Sequence, residues 1–182
     1  MRRLIAAVLV ICLPLSVAAQ DLSALKAPGA VALMRHALAP GTGDPAGFTL
    51  GDCATQRNLS EDGRAQARRI GAALREAGIV FDHVWTSQWC RCRETAELLE
   101  LGTLAERPPL NSFFGGRGDT AAQTAATRAL LDALPQGERA MLVTHYVNIR
   151  ALTGVAPGSG EIVVVQRGED GLRVADRILI AP

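Results

Sequence analysis

Two of the chain's three histidines close short apolar runs: Val31-Ala32-Leu33-Met34-Arg35-His36 and Met141-Leu142-Val143-Thr144-His145. A third run, Val84-Trp85-Thr86-Ser87, ends shortly before Arg91. In open α/β sheets, ligand-handling groups gather just beyond the carboxyl ends of strands. Two imidazoles converging there with Arg35 and Arg91 would suit a phosphoryl group. A phosphoryl dianion needs several donors in fixed geometry, and a guanidinium grips two oxygens at once. A neutral imidazole, with an unperturbed pKa of ~6.5, offers a nucleophilic lone pair at neutral pH. Helices starting just after such strands add backbone N–H groups for the anion. Either histidine alone would more often be a hydrogen-bonded structural residue. The combination carries the chemistry.

Those residues need a sheet to bring them together, and the pattern of runs predicts one. Ala30 to His36 reads as a buried strand between Pro28-Gly29 and the Gly/Pro-rich stretch Ala39 to Gly51. Ser60-Glu61-Asp62-Gly63 reads as a helix start, with an N-cap hydroxyl and first-turn acids. Ala67, Ile70, Leu74 and Ala77 follow at helical spacing, and Gly78 ends the helix. Ile79 to Thr86 is a second strand and Trp89 to Leu101 a second helix, broken by Gly102. Arg107 to Asp119, with Pro108-Pro109 and Gly115-Gly116, is a loop long enough to expect a function of it. Thr120 to Leu134 is a third helix with Ala126, Leu130 and Ala133 inward; Arg139 to Thr144 is a strand, and Tyr146 to Thr153 a short helix. Gly160 to Arg167 and Leu172 to Ile180 form a late strand pair across the turn at Gly168 to Gly171. The expected fold class is α/β: a three-layer αβα sandwich with a mostly parallel sheet and an antiparallel edge.

Residues 1–19 stand apart from this fold. Arg2 and Arg3, the apolar run Leu4 to Leu13, Pro14 and the small residues Val17-Ala18-Ala19 make a secretory signal peptide cut ahead of Gln20. The run is well short of the ~20 residues a spanning helix needs. The expected product is an exported domain, residues 20–182, periplasmic or secreted, with no membrane span. Losing two arginines and no acids takes the net charge from +1 to about −1. No basic excess exists for nucleic acid, so anion binding must be local. Cys53, Cys90 and Cys92 remain after cleavage. In an oxidising compartment a disulfide is expected, against three buried thiols as the alternative. If helical, Cys90 and Cys92 point about 200° apart, so only one can face Cys53. No zinc spacing is present.

Four segments, in order, resemble the motifs of the histidine phosphatase superfamily, the phosphoglycerate-mutase-like fold. Arg35-His36-Ala37 stands where that family has Arg-His-Gly after its first strand. Leu59-Ser60-Glu61-Asp62-Gly63-Arg64-Ala65-Gln66-Ala67 is similar to its Leu-Thr-x-x-Gly-x-x-Gln-Ala run. Thr86-Ser87-Gln88-Trp89-Cys90-Arg91-Cys92-Arg93-Glu94-Thr95-Ala96 keeps the key Arg and the Thr-Ala of the next motif, and Val143-Thr144-His145 ends the set. The resemblance implies that His36 attacks phosphorus to give a phosphohistidine while Arg35, Arg91 and His145 surround the phosphoryl oxygens, with no metal or cofactor.

The departures from the family pattern bear on the general acid. Where the family often places a Glu after a Leu, this chain has Leu110-Asn111-Ser112, and Tyr146 follows His145 in place of an Asp. Glu106 and Asp119, flanking the loop, are the candidate acids; a leaving group of low pKa would need none. Arg57 lines the pocket or is a solvated arginine, Phe113 and Phe114 form a lid or anchor the loop, and His83 is structural. The expected function is an exported phosphatase acting on a phosphomonoester. The alternative is a binding module that keeps the cradle without turnover. Short loops predict a shallow, open pocket, favouring a phosphorylated envelope glycan or a protein-borne phosphate over small metabolites.

Overall fold

The computed structural model describes residues 21–168 and 170–180. The signal peptide expected over residues 1–19 lies outside them. In chain order come β1 (Val31–Arg35), α1 (Glu61–Glu76), β2 (His83–Thr86), α2 (Cys90–Leu99), β3 (Leu104–Glu106), α3 (Thr120–Asp132), β4 (Ala140–Thr144), α4 (Tyr146–Thr153), β5 (Ile162–Gly168) and β6 (Gly171–Ile178). The strands form one sheet in the order β3-β2-β4-β1-β5-β6. The first four are mutually parallel, and β5 runs against both β1 and β6.

Helices cover both faces of the sheet, which makes the three layers. Ala32 and Met34 of β1 pack with Met141, Val143, Val164 and the α1–α2 residues Ile70, Leu74, Ala96 and Leu99. Val31 and Leu33 turn to the other face, with Leu142, Val163 and the α3–α4 residues Leu131, Ile149 and Leu152. A strand covered on both faces needs no polar alternation, hence the unbroken apolar runs. Two glycines let α1 settle closely. A Cβ on Gly63 would stand 2.0 Å from the Leu38 carbonyl oxygen, and one on Gly71 2.2 Å from that of Leu99.

Three elements differ from the sequence expectation. β2 begins at His83 rather than Ile79, because Ile79 N–H still closes onto Leu74 O at the end of α1. A three-residue strand, β3, occupies the stretch between Gly102 and Arg107 to which no element was assigned; it is too short to show a period, and none of its residues is buried. The inward face of α3 is Thr127 and Leu131, with Leu134 beyond its end, while Ala126 and Ala133 are exposed. Alanine carries too little apolar area to decide which way a helix turns.

The sheet topology places the site. β1 and β4 are neighbours, with Arg35 opposite Thr144, so His36 and His145 leave the sheet side by side. The ladder continues one step past the strands. His36 N–H donates to Thr144 O at 3.0 Å, and Ser87 N–H to Val143 O at 3.0 Å.

Candidate active site

His36, Arg91 and His145 meet beyond those strand ends and are 2 %, 2 % and 3 % exposed. The two imidazoles lie edge to face with centroids 5.5 Å apart. Arg91 Nε–H donates to His36 Nε2 at 3.2 Å, and its Nη2 lies 3.5 Å from His145 Nδ1. His36 Nδ1 is 2.8 Å from the Ala37 carbonyl oxygen. A carbonyl only accepts, so Nδ1 carries the proton and Nε2 keeps the lone pair. On the far side of His145, Nε2 is 2.9 Å from Ser87 Oγ, whose hydroxyl donates to Asn111 Oδ1 at 3.2 Å. With that hydroxyl committed, Ser87 Oγ accepts from His145 Nε2–H.

The sequence motifs around these residues turn out to hold the chain that follows His36. Thr95 Oγ1 accepts from Ala37 N–H at 3.1 Å, and Gln66 Oε1 from Leu38 N–H at 3.0 Å. Ser60 caps α1 by accepting from Gly63 N–H at 3.1 Å. Cys53 and Cys90 form a disulfide, leaving Cys92 free and buried against the His145 ring, with Sγ 3.4 Å from Nε2. The expected bridge is thus Cys53 to Cys90, one residue before Arg91.

Burial and charge set the protonation of both rings. Burial, then the Arg91 charge, pulls His36 down to about 3. The same two causes hold His145 well below the ordinary histidine value. Burial pushes the Cys92 thiol up to about 12, so it stays a thiol. Arg35, Arg57 and Arg91 line the same cavity, and Asp44 pairs with Arg91. Three cations less one anion leave a local excess of two positive charges on a chain whose net charge is +1.

The cavity holds about 150 Å³ and is walled by Gly41, Thr42 and Gly43 on one side and Ser112 and Phe114 on another. The 39–51 segment supplies part of that wall through Gly41, Thr42 and Gly43. Arg57 lines it and braces that segment, with Nε–H to Gly43 O at 2.7 Å and a second bond to Ala39 O. Phe114 is on the wall; Phe113 is not among the lining residues. Arg35 donates from Nη1 to Pro157 O at 3.1 Å, while its buried Nε has no partner.

The two candidate acids are elsewhere. Glu106, at the end of β3, pairs with Arg93 at 3.1 Å, and Asp119 caps α3 by accepting from Ala122 N–H at 2.7 Å. Each already serves local structure, and neither lines the cavity. His83 is at the opposite end of the sheet, 2.6 Å from Glu138. Sequence reasoning missed Asp44, whose carboxylate joins Arg91 Nη1 at 2.6 Å, and the Asn111 amide behind Ser87. The signal for Asp44 was a lone acid in an otherwise uncharged Gly/Pro-rich segment.

Residues 31–111 match the family model of the Histidine phosphatase superfamily (branch 1). That span contains Arg35, His36 and Arg91, and stops short of His145. No curated protein matches the chain significantly. Among solved structures, a putative phosphohistidine phosphatase SixA from Agrobacterium tumefaciens is similar at 20 % identity, covering 84 % of this chain and 99 % of its own, with a TM-score of 0.58. A phosphoglycerate mutase from Thermus thermophilus is similar at 20 % identity, with the same coverage of both chains and a TM-score of 0.57. The protein histidine phosphatase SixA complexed with tungstate is similar at 19 % identity, over 82 % of this chain and 96 % of its own, with a TM-score of 0.55. At these identities the likeness establishes the fold.

Proposed function

We propose that this chain, whose residues 31–111 match the histidine phosphatase superfamily model, is an exported phosphatase working through a phosphohistidine on His36. The observation that carries this reading is Arg91 held between two neutral imidazoles. Once a phosphoryl oxygen takes over the Arg91 Nε–H that His36 Nε2 accepts at rest, the Nε2 lone pair attacks phosphorus as the bond to the leaving oxygen breaks and its electron pair departs with that oxygen. Arg35, Arg91 and His145 take the phosphoryl oxygens. The unpartnered Arg35 Nε is a donor in want of an acceptor. Tyr146 and Val147, the first turn of α4, line the same cavity and bring the positive end of that helix to it. Water then attacks in line, the P–N bond breaks, and phosphate leaves with His36 regenerated. Positioning and charge stabilisation supply most of the rate in such a transfer. The arriving dianion raises the proton affinity of both rings, so His145 can donate to it.

Tungstate is a tetrahedral oxyanion, and its presence in a SixA protein of the same fold supports reading this cavity as an oxyanion site. The SixA names also support protein-borne phosphate as a substrate. The signal-peptide pattern and the Cys53–Cys90 disulfide support export to an oxidising compartment. Among the described residues lining the cavity there is no Asp or Glu. That favours substrates whose leaving group departs unprotonated, and it also favours the second reading, a phosphate-binding module without turnover. Mature protein with p-nitrophenyl phosphate separates the two. The phosphatase releases nitrophenolate and, quenched during turnover, gains the mass of one phosphoryl group; His36→Ala does neither. Phosphate binding with no turnover in wild type leaves the module.

A further inference from the structure

Asp44 lies in the segment that closes over the strand ends, and its side chain is 4 % exposed. Its carboxylate accepts four hydrogen bonds. Oδ1 takes Arg91 Nη1–H at 2.6 Å and Arg57 N–H at 3.3 Å; Oδ2 takes Arg91 Nη2–H at 3.2 Å and Trp89 Nε1–H at 3.0 Å. Burial would raise its pKa, but the Arg91 bond and charge outweigh that and hold it below the usual carboxylate range. Trp89 is itself fixed, stacked on Phe48 with centroids 4.9 Å apart. The disulfide and the bond from Cys90 N–H to Gln56 Oε1 at 3.0 Å tie this segment to the start of α2.

A guanidinium has two edges that can grip a pair of oxygens, Nη1 with Nη2 and Nε with Nη2. Asp44 fills the first. The second faces His36 Nε2 and His145 Nδ1. We propose that Asp44 is a positioning residue that reserves the Nε–Nη2 edge of Arg91 for the phosphoryl group. This assignment rests on the phosphatase reading above. With the far edge occupied, the guanidinium cannot turn, and an oxyanion gripped by its near edge sits against the His36 lone pair. Without Asp44 the phosphoryl group can bind at either edge, and one of those poses takes phosphorus out of line with Nε2. Asp44 also removes one positive charge, so the surplus left by three arginines equals the charge of a phosphate dianion.

The test is a split between catalysis and anion affinity, with p-nitrophenyl phosphate as substrate and tungstate as inhibitor. Asp44→Asn keeps the side-chain volume but cannot hold both Nη groups. The expected result is a fall in kcat of about 10- to 100-fold with the tungstate inhibition constant unchanged within about threefold or tighter. Asp44→Glu, which keeps the charge, is expected to recover part of that kcat. Should Asp44→Asn not fold, Trp89→Phe removes one of the four donors to the carboxylate and is expected to lower kcat alone by a few-fold. Wild-type kcat in the variant that folds, or a parallel loss of kcat and tungstate affinity, overturns the proposal. A His36→Ala control separates the two readings: if it is inactive, the phosphatase reading survives the failure of Asp44, and if it keeps turnover, that reading itself falls.

Discussion

At the carboxyl ends of β1 and β4, two buried imidazoles face guanidiniums. At the amino end of β2, the third imidazole, His83, meets the Glu138 carboxylate at 2.6 Å and lies over Trp85 with centroids 5.0 Å apart. The same side chain thus sits in opposite surroundings at the two ends of one sheet. Four parallel strands explain the asymmetry. Their carboxyl ends all open on one edge, where the 36–60, 87–89 and 107–119 segments leave and can fold over the exit. At the other edge, segments 77–82 and 133–139 make close turns, joined by Asp82 N–H and His83 N–H to Arg139 O at 2.9 and 3.2 Å. A fold of this kind concentrates buried cations and neutral rings where the loops are long, and leaves half-exposed pairs where they are short.

The sharpest way to break that contrast is to delete an imidazole from each end. His36→Ala is expected to lower turnover of p-nitrophenyl phosphate by about 10⁴-fold or more. His83→Ala should leave it within about twofold, as a group outside the chemistry does. Equal losses in steady-state assays would mean that the two ends are not functionally distinct.

The disulfide braces only the site end. Replacing Cys53 by Ser opens a link that spans 37 positions of sequence, worth about 4 kcal/mol on chain entropy before strain is discounted. A fall in Tm of about 10 °C is the corresponding expectation. Thermal scans of the oxidised protein with and without reductant should show the same drop, and Cys53→Ser should show no further response to reductant.

A third test uses pH. The folded-state pKa values of His36 and His145 lie below the unfolded value near 6.5, so the folded chain binds fewer protons across that interval. Their contribution is complete above about 6.5 and is lost as pH falls, that of His36 toward about 3. Tm should therefore decline by several degrees over that window. Asp44, also depressed, adds its loss only below its ordinary value of 3.8. His36→Asn should flatten the upper part of the decline, and phosphate should restore Tm. A flat profile from pH 6.5 to 4.5 in wild type would contradict the neutral, buried rings.

The smallest effect belongs to the far end. The His83 and Glu138 side chains are 34 % and 37 % exposed, so solvent screens their contact and Glu138→Gln should change stability by less than about 1 kcal/mol. Chemical denaturation midpoints would detect anything larger.

Much of this arrangement was legible in the residues. The apolar runs ending in His36 and His145 located two strand ends, because a strand buried on both faces must be apolar throughout. Ser60, Glu61 and Asp62 marked the start of α1, since a cap hydroxyl and first-turn acids are local requirements, whereas the need for Gly63 arises from the distant Leu38 carbonyl. The surroundings of the two candidate acids were not legible in the same way. Glu106 and Asp119 flank the loop in sequence, but in the fold one pairs with Arg93, the other caps α3, and neither lines the cavity. The short β3 and the face of α3 were missed because three residues, none of them buried, and a run of alanines carry weak patterns.

By itself, then, the sequence determined which side chains could do chemistry and that strands would present them, since residue type and burial period are properties of neighbours along the chain. Only the tertiary structure decided that Arg91 stands between the rings, that Asp44 fills its other edge, and that Cys53 takes Cys90 rather than Cys92. Those pairings join residues 37 to 55 positions apart. Their geometry depends on how parallel strands order themselves and how one loop folds back, which no local pattern encodes.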